Sequence, residues 1–251
     1  MSAPTATRWV TFGNHGTLVD WNAGLEVVLR PMAGERTPAL IRAHQRHARA
    51  LEREVPLRAY RDVLITALER AGEECAVAVP PAAARALPEA WASMRPFDDT
   101  AAMLAALRRE GYRLAVLTNG DEDLFAVSRA MLGESFDLVV SAERIRGYKP
   151  APWHFRAFER LARVGLEDWV HVAASPYHDI APAAALGVRH VWLDRAGIRD
   201  PAARAAGPAS TAAAGAAAAS VRVQSGAEVP CAVSCLFARE PAGCLEAPAL
   251  C

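Results

Sequence analysis

Strands and helices alternate along most of this chain, and that alternation admits few folds. Residues 8–13 form a short β-branched and aromatic run closed by Gly13, which reads as a buried strand. Further strand-like runs follow at Tyr112–Leu117, Phe136–Ser141, Trp169–Ala173 and Val188–Leu193. Helical stretches lie between them, near 99–110, 121–132, 152–164 and 180–186. This order predicts an α/β fold of Rossmann-like form, a parallel sheet covered by helices on both faces. From Asn22 to about Arg95 the pattern is helical instead. Leu40, Ile41, His44, Ala48 and Leu51 fall near helical spacing, as do Tyr60, Val63, Leu64, Ala67 and Leu68. Pro80-Pro81 and Pro88 are expected to divide that block into separate helices.

The expected organisation is a core of residues 1–21 and 96–200, extendable to 237, with a small helical cap at 22–95 inserted after the first strand. Residues 201–220, rich in Ala with Gly, Pro and Ser, read as a connector. Hydrophobic residues return over Val221–Phe237, where Ala227-Glu228-Val229-Pro230 is expected to begin one last edge element. The stretch 238–251, with Pro, Gly and Cys, is expected to be a disordered tail.

A chain of 251 residues with 52% hydrophobic residues can bury one core and a modest insertion. Lys plus Arg number 28 and Asp plus Glu number 28, so no global field recruits nucleic acid or an acidic membrane surface. No apolar run reaches about 18 residues, and the N-terminus lacks a signal-like apolar stretch; a cytoplasmic protein is expected. Four of the five cysteines, Cys231, Cys235, Cys244 and Cys251, lie in the last 21 residues. Cys231 and Cys235 are not in a CxxC arrangement and no suitably spaced His follows them, so free thiols in a reducing compartment are the expectation.

In an open parallel sheet, ligands bind outside the carboxyl ends of the strands, and four segments fall at such ends. Gly13-Asn14-His15-Gly16-Thr17 follows the first strand; its backbone N–H groups and the Thr17 hydroxyl suit an anion. Thr118-Asn119-Gly120 closes the second strand, Arg146-Gly147-Tyr148-Lys149-Pro150 lies after the third, and Ser175-Pro176-Tyr177-His178-Asp179 follows the fourth. Taken singly, the Thr118 segment is equally a plain strand-to-helix turn, and Asp179 equally a helix cap.

Together and in this order, the four segments resemble the motifs of the haloacid dehalogenase (HAD) superfamily, and its 2-haloacid dehalogenase-like branch in particular. The resemblance spans roughly residues 8–200, with a weaker echo near 221–237. It implies that Thr118 and Asn119 bind the leaving group or phosphate and that Lys149 neutralises the bound anion. It leaves Asp179 as an acidic residue of the site, next to Ser175 and His178. Ala39–Gln45 resembles the cap helix on which that branch carries a carboxylate-binding arginine, and Arg42 falls at its place; Arg46, Arg49 and Arg53 on the same helix make a solvated basic face an equal reading.

The departure is at the first motif. The family's first strand ends in an aspartate that attacks carbon or phosphorus and forms an ester, and Gly13 stands there. Asn14 and His15 also differ from the usual small or Cys residue followed by Tyr. Phosphatase members carry a second aspartate at the place of His15, and magnesium needs the first aspartate and a carboxylate like Asp179. The resemblance therefore implies no metal site and no cofactor here. What it leaves is an anion pocket of Gly13, Asn14, Thr17, Thr118, Asn119, Ser175 and Arg42, with Lys149, Asp179, His15 and His178 for chemistry. Either histidine is expected to titrate near neutrality.

Three readings stay open. The pocket promotes loss of halide, sulfate or phosphate from a small anionic substrate by elimination or intramolecular cyclisation, with His15 or His178 as base. Alternatively the chain is a non-catalytic binding subunit, a homodimer or the partner of another protein. Or it is a nucleophile-deficient variant of an ordinary dehalogenase-like hydrolase. Neither nucleic acid nor a membrane is an expected partner.

Overall fold

The computed structural model describes residues 7–195 and 220–238. Its centre is a six-stranded, all-parallel sheet. The strands are β1 (Trp9–Phe12), β2 (Arg113–Thr118), β3 (Leu138–Ser141), β4 (Trp169–Ala173), β5 (Arg189–Leu193) and β6 (Ser220–Val223), ordered β3-β2-β1-β4-β5-β6. Because side chains alternate along a strand, each strand feeds two cores. Val10, Phe12, Leu114, Val116, Val170 and Val172 pack on one face against α5 (Thr100–Arg109) and α10 (Val229–Ala238). Trp9, Ala115, Leu117 and Trp169 pack on the other against Phe155 and Phe158 of α8 (Trp153–Ala162). Both faces are buried, which is why the strands read as near-continuous apolar runs.

The strand and helix spans match the sequence reading within a few residues, with two corrections. The last edge element is the strand Ser220–Val223, and Val229–Ala238 is a helix covering the sheet. Pro230 does not start a strand: it stands in the helix's first turn, where its missing N–H costs nothing. Nor does Pro88 separate helices. It lies inside α4 (Pro81–Glu89), one residue from its end, while Pro80 and Pro81 begin that helix. The Ala-rich stretch up to residue 219 and the tail from 239, with Cys244 and Cys251, lie outside the described residues.

Between β1 and α5 the chain forms α1 (Trp21–Ala33), α2 (Thr37–Leu51), α3 (Tyr60–Glu74), α4 and short turns, all helical and gathered round their own apolar cluster. The two crossings into this insertion are tied together. Asp20 N–H donates to Arg95 O at 2.7 Å, Phe97 N–H donates to Leu18 O at 3.1 Å, and Val19 pairs with Pro96 as an antiparallel bridge. Above this hinge, Gly24 lets α1 touch the returning segment: a Cβ there would meet Met94 Sδ at 2.1 Å and Met94 Cα at 2.9 Å. The thioether can turn aside, but the backbone atom cannot without moving the hinge. Gly24→Ala is therefore expected to cost about 1–3 kcal/mol by overpacking, lowering Tm by roughly 2–10 °C. Thermal melts of the two proteins check this; an unchanged Tm would show that the hinge is loose.

Candidate active site

The site is built where β1, β2 and β4 end side by side. Gly13 continues the pairing of β1 with β4, its N–H donating to Val172 O at 3.1 Å. Gly16, at φ +75°, then turns the chain in the left-handed region that favours glycine. Gly16 N–H donates to Val19 O at 2.9 Å and Thr17 N–H to Asn14 O at 3.1 Å. These two amides are spent on backbone carbonyls, which leaves the loop fewer donors for an anion than its sequence suggests. Thr17 instead ties two loops together, its Oγ1 accepting from Ala174 N–H at 3.0 Å.

Beneath the strand ends lies a buried ion pair. Lys149 Nζ donates to Asp179 Oδ1 and to Leu117 O, both at 2.6 Å. Asn119 holds the lysine's backbone from both sides: its Oδ1 accepts from Lys149 N–H at 2.8 Å and its Nδ2 donates to Lys149 O at 3.1 Å. A polar chain supports the aspartate from the sheet interior. Trp169 Nε1 donates to Thr11 Oγ1 at 2.8 Å, that hydroxyl lies 2.8 Å from His171 Nδ1, and His171 Nε2 lies 3.1 Å from Asp179 Oδ1. Thr11 and His171 are register partners on adjacent strands. Burial alone would raise Asp179, but the Lys149 charge and the His171 hydrogen bond outweigh it and hold the carboxyl far below the usual carboxylate range. Burial lowers His171; its Nε2 faces a carboxylate oxygen, which only accepts, so Nε2 carries a hydrogen and donates. Asp179 Oδ2 faces Gly13, 3.3 Å from where a Cβ on that glycine would stand; Thr17 Oγ1 would be 3.0 Å from the same point.

Above the pair opens a cavity of about 450 Å³ between sheet and insertion. Of the residues expected in the site, Asn14, His15, Thr118, Asn119, Lys149, Ser175, His178 and Asp179 line it, whereas Gly13, Thr17 and Arg42 do not. Arg42 is exposed. The residues of α2 that reach the cavity are His44, Gln45, Ala48 and Arg49, followed by Glu52 at its end. Arg42 shares a helix face with Arg49 but sits seven residues earlier, about 10 Å back along the axis. Arg49 and Arg53 stack over Tyr177, with guanidinium carbons 5.2 and 5.4 Å from its ring centroid, so half of the expected basic face clasps the core.

The two histidines part company. His15 is stacked on Trp21 and Tyr60 and meets Trp91 edge-on, with centroids 4.8, 5.6 and 5.1 Å away, and its Nε2 is buried without a partner. Burial, then the Lys149 and His178 charges, push it down to about 3, so it does not titrate near neutrality. His178 is half-buried. Its Nδ1 lies 3.1 Å from Ser175 Oγ and its Nε2 3.0 Å from Glu52 Oε2. Glu52, a residue that no sequence motif singles out, also accepts from Asn119 Nδ2 at 3.2 Å through Oε1. Its only sequence signal is its place on the α2 stripe Ala48–Glu52. His171 has a better one, as a polar residue in the middle of the apolar run Trp169–Ala173.

The profile of the haloacid dehalogenase-like hydrolases matches residues 8–187. The chain belongs to that family. Haloacetate dehalogenase H-2 of Moraxella sp. (strain B) is 30% identical over 113 residues, 44% of this chain and 50% of that protein. Phosphoserine phosphatase of Thermus thermophilus is 37% identical over 135 residues, 51% of this chain and 52% of that protein. The chain thus spans about half the length of the curated relatives it matches. Among solved structures, an L-2-haloacid dehalogenase superposes with a TM-score of 0.75 at 22% identity, covering 88% of this chain and 96% of that one. The L-2-haloacid dehalogenase of Xanthobacter autotrophicus with chloropropionic acid covalently bound gives a TM-score of 0.74 at 20% identity, covering 91% and 98%. Both share the α/β fold seen here.

Magnesium, which hydrolases of this superfamily use for phosphate chemistry, does not fit these residues. Gly13 and His15 supply no carboxylate, and Asp179 Oδ1 is committed to Lys149 and His171. Among the described residues no group of three or more His, Cys, Asp or Glu side chains is placed to hold a metal ion.

The buried histidines set an acid limit on the fold. Burial pushes His154, whose Nε2 contacts Thr118 O at 2.9 Å, down to about 3, and His44 down to about 4. Unfolded histidine titrates near 6.5, so between those values the unfolded chain binds more protons and stability falls as pH falls. Each of the two contributes about 1.4 kcal/mol of loss per pH unit in that window. Urea unfolding is expected to be flat from pH 8 to 7 and to steepen below 6; a flat curve down to pH 4.5 would refute the assignment.

Proposed function

We infer that this family member works without a carboxylate at position 13, binding a small anionic molecule in the cavity and promoting loss of halide, sulfate or phosphate by elimination or intramolecular cyclisation. The observation that carries this reading is the contrast between Gly13, which brings no side chain to the site, and the fully supported Lys149–Asp179 pair directly beside it. A covalent ester at position 13 is unavailable to glycine, while Thr118, Asn119 and Lys149, the residues that would meet a departing anion, line the cavity.

In the cyclisation form, an amine or hydroxyl of the substrate attacks the carbon bearing the leaving group. The new C–N or C–O bond forms as the bond to the leaving group breaks, the electron pair departing with the anion. The proton lost by the attacking group passes to a base and then to solvent. Intramolecular attack of this kind reaches effective molarities of about 10⁵–10⁸ M, enough to offset much of what a lost nucleophile costs, up to roughly a million-fold. His178 is the better proton acceptor, since His15 is held in an aromatic enclosure and pushed down to about 3.

The test is mass spectrometry of the protein with 2-aminoethyl hydrogen sulfate, O-phosphoethanolamine and 2-chloropropionate, beside Gly13→Asp. The wild type is expected to release sulfate or phosphate with a cyclised or eliminated product and to leave 2-chloropropionate intact. The variant is expected to hydrolyse 2-chloropropionate, provided that Thr17, Ala173 and Asp179 yield the few tenths of an ångström that a Cβ needs. Hydrolysis of 2-chloropropionate by the wild type would overturn the reading.

A further inference from the structure

Both ring nitrogens of His178 are already engaged, so this imidazole cannot take a proton directly from a substrate. For the neutral imidazole, the hydrogen bonds around it nevertheless have only one consistent direction. Asn119 is fixed by Lys149, accepting from its N–H and donating to its C=O, so the amide Nδ2 must face Glu52 Oε1. Glu52 is then an acceptor on both oxygens. His178 Nε2, 3.0 Å from Glu52 Oε2, must carry the hydrogen, which leaves a lone pair on Nδ1. Ser175 Oγ, 3.1 Å from Nδ1 and already accepting from His178 N–H at 3.1 Å, points its own hydrogen at that lone pair.

We propose that Ser175, His178 and Glu52 form a proton-accepting relay, in which the Ser175 hydroxyl meets the substrate's N–H or O–H and Glu52 of the insertion holds His178 in the accepting tautomer. This rests on the leaving-group reading above. In one step the substrate's proton moves to Ser175 Oγ as the hydroxyl proton moves to His178 Nδ1. The imidazolium so formed lies against the Glu52 carboxylate, and its extra proton returns to solvent after the anion has left. Ser175 forms no bond to carbon, which matters chemically. A serine that displaced halide from an alkyl carbon would be left as an ether, with no carbonyl at which water could release it. Because Glu52 comes from the insertion and Ser175 and His178 from the loop after β4, the relay is complete only with the insertion seated on the core.

Long-range ¹H–¹⁵N spectra of the full chain at pH 8 read the tautomer with no substrate present. Wild-type His178 is expected as the Nε2–H form. In Glu52→Gln the amide carbonyl must face Asn119, so its NH₂ faces His178 Nε2 and the ring is expected to switch to Nδ1–H. Ser175→Ala keeps Glu52 and should keep the Nε2–H form. With 2-aminoethyl hydrogen sulfate, both variants are expected to lower kcat roughly 100-fold, the low end for general acid–base catalysis, with KM little changed. An Nδ1–H wild type, or one tautomer in wild type and Glu52→Gln alike, would overturn the relay, as would full kcat in either variant. A wild type with the expected tautomer switch and no turnover would instead count against the leaving-group reading alone.

Discussion

The Lys149–Asp179 pair is the constraint around which the rest of the site is arranged. Two charges buried at 2.6 Å are tolerable only when each is neutralised and its remaining hydrogen-bonding capacity is met. The chain meets that condition with residues from across the fold. Leu117 O ends β2 and takes a lysine hydrogen, Asn119 grips the lysine backbone, and the Trp169–Thr11–His171 chain reaches through the sheet to the carboxylate. These partners come from β1, β2 and β4 and from the turn after β2, so the pair also ties the three central strands to one another. Satisfied internally, the pair carries no net charge, and Gly13 beside it presents an incoming anion with no nucleophile from β1.

A second layer of contacts fastens the insertion over this pair. Asp121 accepts from Tyr60 N–H and Arg61 N–H, both at 3.0 Å, Tyr148 Oη donates to Arg58 O at 2.8 Å, and Trp91 Nε1 donates to Ser128 Oγ at 3.0 Å. Glu52 and the Arg49–Tyr177–Arg53 stack complete the clasp at the cavity's edge. The aromatic wall of Trp21, Tyr60 and Trp91 buries His15 and keeps it neutral. Insertion and sheet therefore share one site, and neither contains it alone.

Much of this is legible in the sequence because it follows from periodicity and strand-end chemistry. The parallel sheet, the helical insertion after β1, and the placing of Thr118, Asn119, Lys149, Ser175, His178 and Asp179 along one cavity all follow from local pattern. What local pattern does not carry is three-dimensional phase. Arg42 and Arg49 look equivalent on a helical wheel and are both exposed, and only their distance along the axis puts Arg49 at the cavity and Arg42 away from it. Glu52 sits in no motif and gains its role from the insertion's seating. Thr17 offers amide and hydroxyl to a ligand on paper, but the turn at Gly16 consumes the amide and Ala174 takes the hydroxyl's acceptor. The helix after Val229 is not told from a strand, because an apolar run of that length reads as readily either way.

The dependence on the buried pair can be measured by a double-mutant cycle in urea with Lys149→Met, Asp179→Asn and the combination. Each single change strands one buried charge and is expected to cost about 3–5 kcal/mol. The double change removes both charges, while the amide that replaces the carboxylate still accepts from His171, so it should be more stable than either single variant. A double variant whose loss equals the sum of the two single losses would contradict the account, because it would show that lysine and aspartate act independently.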